Sequence, residues 1–149
     1  MTPEEILSYP PKILTQEQRE HYFEFGFVGI KDLVPSETLK LIKKVTSEFV
    51  DKSREVTESN NVFDIGPGHS YENPVLRRLK SPDENHEEYW NFSKGLMADV
   101  ASDLVGPNVT FHHSKLNFKW YDESDTVKWH QDIQFLSLIH ISEPTRPTP

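Results

Sequence analysis

The order of hydropathy patterns along the chain predicts an α+β protein, with helices first and the start of an antiparallel sheet after them. Three observations carry this. Apolar residues recur at helical spacing in the segments before Gly106-Pro107. After that pair the period becomes alternation: Leu116, Phe118 and Trp120 interleave with Lys115, Asn117 and Lys119. A polar turn, Asp122-Glu123-Ser124-Asp125, then separates this strand from a second one over residues 127–132. A helix puts every third or fourth side chain on one face and a strand every second, so the change of period marks a change of element. Helices followed by strands joined by a tight turn are the pattern of an α+β domain.

Residues 1–13 contain Pro3, Pro10 and Pro11 and read as an extended arm. A helix is predicted from Thr15, because Thr15 and Gln18 have capping-box spacing. Tyr22, Phe23 and Phe25 form its apolar side, and Gly26 is placed to end it. Phe27-Val28-Gly29-Ile30 reads as a short strand. A second helix runs from Pro35 or Ser36 to about Arg54. Leu39, Ile42, Val45 and Phe49 give it one apolar stripe, with Lys40, Lys43, Lys44 and Lys52 on the solvated face. Residues 57–80 carry Asn60-Asn61, Gly66-Pro67-Gly68 and Asn73-Pro74, and read as a long irregular loop. Such loops are often functional, and Asp64, His69, Tyr71, Arg77 and Arg78 are its candidates for touching a substrate. The third helix has Ser81 as N-cap, Pro82 at the first position and Glu84 closing a capping box. Tyr89, Phe92, Leu96, Val100 and Leu104 continue it to Gly106-Pro107.

With 149 residues, 35% of them hydrophobic, the chain can build one core. It has no run of eighteen apolar residues, so no membrane span is expected, and the first residues lack a secretory signal. Cysteine is absent, which excludes disulfides, thiolate metal sites and cysteine nucleophiles and fits a cytoplasmic protein. A formal net charge of −8 argues against a nucleic-acid partner. Gly66-Pro67-Gly68 is too short for a phosphate-binding loop. The expected partner is a small-molecule substrate.

His130-Gln131-Asp132 lies in the second predicted strand. There the His and Asp side chains leave the same face, and they supply two thirds of the two-His-one-carboxylate set of a non-haem iron site. By spacing alone the pattern is weak: with seven His and 24 acidic residues, about one His-x-Asp/Glu is expected by chance. His86-Glu87-Glu88 is a second match, but in a helix residues i and i+2 point about 200° apart, so His86 reads as a surface residue. The preceding strand, His112-His113-Ser114-Lys115-Leu116-Asn117-Phe118-Lys119, is unusually polar. His113, Lys115, Asn117 and Lys119 would line one face, either simply solvated or facing a cavity for an anionic ligand.

Residues 136–146 read L-S-L-I-H-I-S-E-P-T-R. They resemble the codon-for-codon translation of a transposase mosaic-end adapter, so residues 136–149 are expected to be a non-native tail. The natural sequence would then follow this chain only to about Phe135, and the chain would be the N-terminal part of a longer protein.

Three stretches together resemble the phytanoyl-CoA dioxygenase family: LTQEQREHYFEFGFVGIKDLVP, LVGPNVTFHHSKLNFK and VKWHQDIQF. The likeness covers about residues 14–135. It implies a double-stranded β-helix (jelly roll) with flanking helices, of which residues 14–135 would be the N-terminal part. It implies an Fe(II)- and 2-oxoglutarate-dependent dioxygenase that uses O2 to hydroxylate an unactivated C–H of a small organic substrate. By the resemblance His130 and Asp132 are iron ligands, Asn117 contacts 2-oxoglutarate, and His113 or its rival His112 does so too. Lys119 is a weaker cofactor contact and Trp129 walls the site. The family's second His ligand and its 2-oxoglutarate Arg belong to later strands. His140 and Arg146 lie in the adapter-like tail and do not replace them, so this chain is expected to be inactive alone. Two other readings stand beside this one. One is a non-catalytic jelly-roll binding module with a degenerate metal site. The other is a zinc hydrolase using His112, His113 and His130, against which adjacent strand residues pointing to opposite faces would count.

Overall fold

The computed structural model describes residues 1–120. Residues 1–118 form one unit, and the second, residues 119–149, is described only at Lys119 and Trp120. The turn at 122–125, the strand at 127–132, Trp129, His130, Asp132 and the tail at 136–149 lie outside the described residues.

The described chain is α+β. Helices α1 (Pro3–Leu7), α2 (Gln16–Phe25) and α3 (Ser36–Ser53) precede strands β1 (Phe63–Ile65) and β2 (Leu76–Lys80). Helices α4 (Pro82–Asn85), α5 (Glu87–Phe92) and α6 (Ala98–Val105) follow, then strand β3 (Lys115–Asn117). The strands form one antiparallel sheet in the order β1-β2-β3.

Helix α2 starts as its sequence predicts. Thr15 accepts from the Gln18 amide, and the Gln18 side chain accepts from the Thr15 amide, so two orphan donors of the first turn are satisfied. Gly26 ends the helix in the left-handed region at φ 79°, where a side chain would be strained. Helix α3 also lies where its apolar stripe predicts, with Val45 and Phe49 buried.

Four expectations are corrected. The N-terminal arm is not extended throughout: Thr2 and Glu5 form a capping box that starts α1. Phe27–Ile30 forms no strand. Residues 57–80 are not one irregular loop, because β1 and β2 pair within them, with a bulge between Asp64 and Ile65. The charged positions of these short strands hide the alternation that would have announced them. The third helix is not continuous. His86 is extended (φ −157°, ψ 130°) and divides α4 from α5, where its ring Nδ1 accepts from the Glu88 amide as an N-cap. His86 is therefore half-buried, its ring against Phe49, rather than a helix-surface residue. Ser81 has a positive φ of 42° and caps nothing with its side chain. Between α5 and α6 a wide turn over Ser93–Met97 kinks the chain at Gly95, the residue type with the least resistance to leaving a helix.

The core lies between one face of the sheet and the helices. In register across the strands, Phe63, Leu79 and Leu116 stand on one face, because directly opposed side chains share a side. They pack against Val45 and Phe49 of α3 and Tyr89 of α5. Each fully buried Leu or Phe contributes about 1.5–3 kcal/mol. The Tyr89 hydroxyl meets Thr46 Oγ1 at 2.5 Å, so its polar end is paired. Burial pushes the Tyr89 phenol above its ordinary value, against the opposite effect of that hydrogen bond.

A second buried set ties the N-terminus to α6. Arg19, on the face of α2 expected to be apolar, is only 1% exposed. Its guanidinium donates to the carbonyls of Ile6, Tyr9 and Asp103 and to Gln16 Oε1. The Asp103 carboxylate accepts from the amides of Lys12, Ile13 and Leu14, each at 2.8 Å. Burial raises the Asp103 carboxyl, but these three donors and the nearby Arg19 charge outweigh it and hold the group below its ordinary value.

Candidate active site

Asn117, which the resemblance sets against 2-oxoglutarate, is placed by a regular element. It ends β3, directly opposite Arg78 of β2, which in turn stands opposite Asp64 of β1. The three side chains therefore form a row across the sheet, on the face away from the core. Arg78 Nε donates to Asn117 Oδ1 at 3.3 Å, and Arg78 Nη1 lies 3.9 Å from Asp64 Oδ2. Ser59 Oγ donates to Asp64 Oδ1 and accepts from the Ile65 amide, which steadies the far end of the row. Asn117 is exposed, and its Oδ1 is the amide atom that Arg78 meets.

The strand is shorter than its alternation predicts, running only over Lys115–Asn117. Exposure still alternates from His113 to Phe118, with His113, Lys115 and Asn117 exposed and Ser114, Leu116 and Phe118 half-buried. Lys80 and Lys115 are opposed in the register, but Lys80 Nζ turns to the Asn60 carbonyl at 2.7 Å. Lys119 is exposed in the second unit.

His112 and His113 precede the strand and sit in a different neighbourhood from Asn117. Both line a cavity of about 530 Å³ with Trp90, Lys94, Met97 and Phe111. Trp90 meets Phe111 edge-on at 5.4 Å, and the Lys94 ammonium lies 5.8 Å from the Trp90 ring centre. The expectation that the two imidazoles point to opposite faces is corrected: outside a strand that rule lapses, and their Nδ1 atoms hydrogen-bond to each other. Ser114, which also lines the cavity, donates to Asp83.

The other loop candidates divide by role. His69 is structural: Nε2 donates to the Ser53 carbonyl at 2.9 Å and Nδ1 accepts from the Val75 amide at 2.8 Å. Both ring nitrogens are thus used in holding the loop between the end of α3 and the start of β2. Tyr71 is exposed, and its carbonyl accepts from Arg54. Arg77 and Arg78 are strand residues rather than loop residues. The pairing of Arg78 with Asn117 has no counterpart in the sequence pattern, since it depends on the register of β2 against β3.

Among the described residues no three His, Asp or Glu side chains gather where they could hold a metal ion. His130 and Asp132, the metal ligands the sequence proposes, and Trp129 lie outside those residues. The donor set itself, one imidazole and one carboxylate from a His-x-Asp, suits a divalent iron with further ligands from elsewhere.

The sequence pattern of the phytanoyl-CoA dioxygenase family matches residues 22–149. A probable alpha-ketoglutarate-dependent hypophosphite dioxygenase of Stutzerimonas stutzeri is 23% identical over 120 residues, which are 80% of this chain and 42% of that protein. The chain thus spans less than half the length of this relative. No solved structure matches the chain.

Proposed function

The chain belongs to the phytanoyl-CoA dioxygenase family, and from that premise we propose that it is the N-terminal part of an Fe(II)- and 2-oxoglutarate-dependent dioxygenase. The reaction proposed is hydroxylation of an unactivated C–H in a small organic substrate. One oxygen atom of O2 goes to the product and the other to succinate, with loss of CO2. The observation that carries the reading is Asn117, an exposed amide on the polar side of a strand thirteen positions before the His-x-Asp. On this reading the three described strands begin the double-stranded β-helix.

His130 and Asp132 would hold the metal through one imidazole nitrogen and one carboxylate oxygen. Bound there, iron supplies the activation of O2 that drives oxidative decarboxylation and C–H hydroxylation. The protein's part is placement. Asn117 Nδ2 donates to a carboxylate oxygen of 2-oxoglutarate and Lys119 adds positive charge, while the further contact implied by the family, His113 or His112, would have to reach the ligand from the neighbouring cavity. Trp129 walls the site and limits the entry of water. The relative's name gives it an inorganic substrate, hypophosphite, so family membership alone does not choose the substrate.

The test is succinate formation from 2-oxoglutarate by the protein expressed from its uninterrupted coding sequence. Activity should require Fe(II), and His130→Ala should lower it by more than about 100-fold, since losing a ligand exceeds the usual cost of losing a group that merely supports one. Activity that survives in His130→Ala, or that needs neither iron nor 2-oxoglutarate, removes the proposal. Binding of 2-oxoglutarate without turnover would instead favour a non-catalytic module.

A further inference from the structure

Arg78 has no part in the roles above, yet it is the residue that touches Asn117. Its Nε donates to Asn117 Oδ1 at 3.3 Å, and its Nη1 faces Asp64 Oδ2 at 3.9 Å. The register of both strand pairs sets Asp64, Arg78 and Asn117 in one line, so the contact is built into the sheet. We infer that Arg78 is a positioning residue that fixes the Asn117 amide with its nitrogen outward, as the donor for a carboxylate. The inference rests on reading Asn117 as the contact to 2-oxoglutarate.

The physical reason lies in the amide. Its two ends are alike in shape and opposite in polarity: the oxygen only accepts and the nitrogen only donates. A carboxylate also only accepts, so an amide turned the wrong way presents lone pair to lone pair. An exposed Asn with no partner samples both orientations. A guanidinium has five donors and no acceptor, so only the oxygen of Asn117 can face it. Occupying Oδ1 therefore decides what Nδ2 does. The cation behind the amide also polarises it and strengthens the outward N–H as a donor. Asp64 balances the Arg78 charge, and Ser59 holds Asp64.

Two measurements test this. The first uses no cofactor. Solvent exchange of the Arg78 Nε–H, followed by NMR in the chain as it is, should be slower in the wild type than in Asn117→Ala. Equal rates overturn the inference. The second is the affinity of the protein from its uninterrupted coding sequence for 2-oxoglutarate, with Mn(II) in place of iron under anaerobic conditions. Asn117→Ala and Arg78→Gln should each weaken it by about tenfold, the scale of one hydrogen bond. The double variant should be no weaker than Asn117→Ala alone, because Arg78 acts through Asn117. If the two losses multiply, Arg78 contacts the ligand or shapes the fold independently, and the inference fails while the reading of Asn117 stands. It fails likewise if Arg78→Gln is silent and Asn117→Ala is not. If Asn117→Ala leaves the affinity unchanged, or the wild type does not bind, the reading of Asn117 falls and the inference with it.

Discussion

Asp103 shows how one side chain holds a distant piece of chain. Its carboxylate takes three successive backbone amides at 2.8 Å, from residues 12 to 14. Such charge-assisted bonds are stronger than neutral ones, and the donors would be left unpaired in a half-buried place without them. Asp103→Asn keeps the shape but loses the charge, and should lower unfolding stability by about 2 kcal/mol in a denaturant titration. The pH dependence has a definite sign. The folded-state pKa is depressed below the ordinary 3.8, so the stabilisation is fully present above that value and is lost as pH falls through the folded value. In the wild type this adds to the loss of stability in acid, and Asp103→Asn should flatten that part of the curve. An unchanged acid limb would show that Asp103 does not titrate in that window. His69 works similarly between α3 and β2. His69→Ala, which orphans the Val75 amide, should cost about 1–3 kcal/mol and speed hydrogen exchange at Val75.

At the scale of elements, the caps are where local sequence acts most directly. Thr15 and Gln18 complete both hydrogen bonds of their box, so Thr15→Ala should cost about 1 kcal/mol of stability. At Gly26 a methyl group would meet nothing within 4 Å. Gly26→Ala should therefore cost about 1–2 kcal/mol, from the left-handed backbone alone, and a crystal structure of the variant should show no shifted neighbours. Ser81 and Glu84 have the same spacing as Thr15 and Gln18, yet no box forms there. Tertiary contacts explain the difference: His86 is extended against Phe49, and Pro82 is buried, so the chain turns before a long helix can grow. The sheet is fixed by packing rather than propensity. Leu79 is fully buried between its strand neighbours and α3 and α5, and Leu79→Ala should destabilise by about 2–5 kcal/mol. A smaller loss would mean that the face relaxes into the space.

For the whole molecule, the proposed chemistry links stability to ligand. A metal and 2-oxoglutarate that bind only the folded protein stabilise it by about 2.7 kcal/mol at a hundredfold excess over the dissociation constant. The protein from its uninterrupted coding sequence should therefore melt higher with Mn(II) and 2-oxoglutarate together. The rise should vanish in His130→Ala. A rise of the same size in that variant would place the ligand elsewhere than the His-x-Asp.

Sequence by itself determined the helix starts at Thr15 and near Ser36, the stop at Gly26, the α+β order and the family, because each rests on local chemistry or on a contiguous pattern. It also alternated His113, Lys115 and Asn117 with Ser114, Leu116 and Phe118, which matches their exposure. It marked Asn117 as a candidate but not its partner. The tertiary structure alone decided that residues 57–80 hold two strands, that Arg19 is buried, that the third helix breaks at His86, and that His112 and His113 share a cavity apart from Asn117. Each of these depends on residues far apart in the chain. Arg78 meets Asn117 across 39 positions, through the register of β2 against β3. A slip of one residue turns every strand side chain to the other face, so no local pattern can specify that contact.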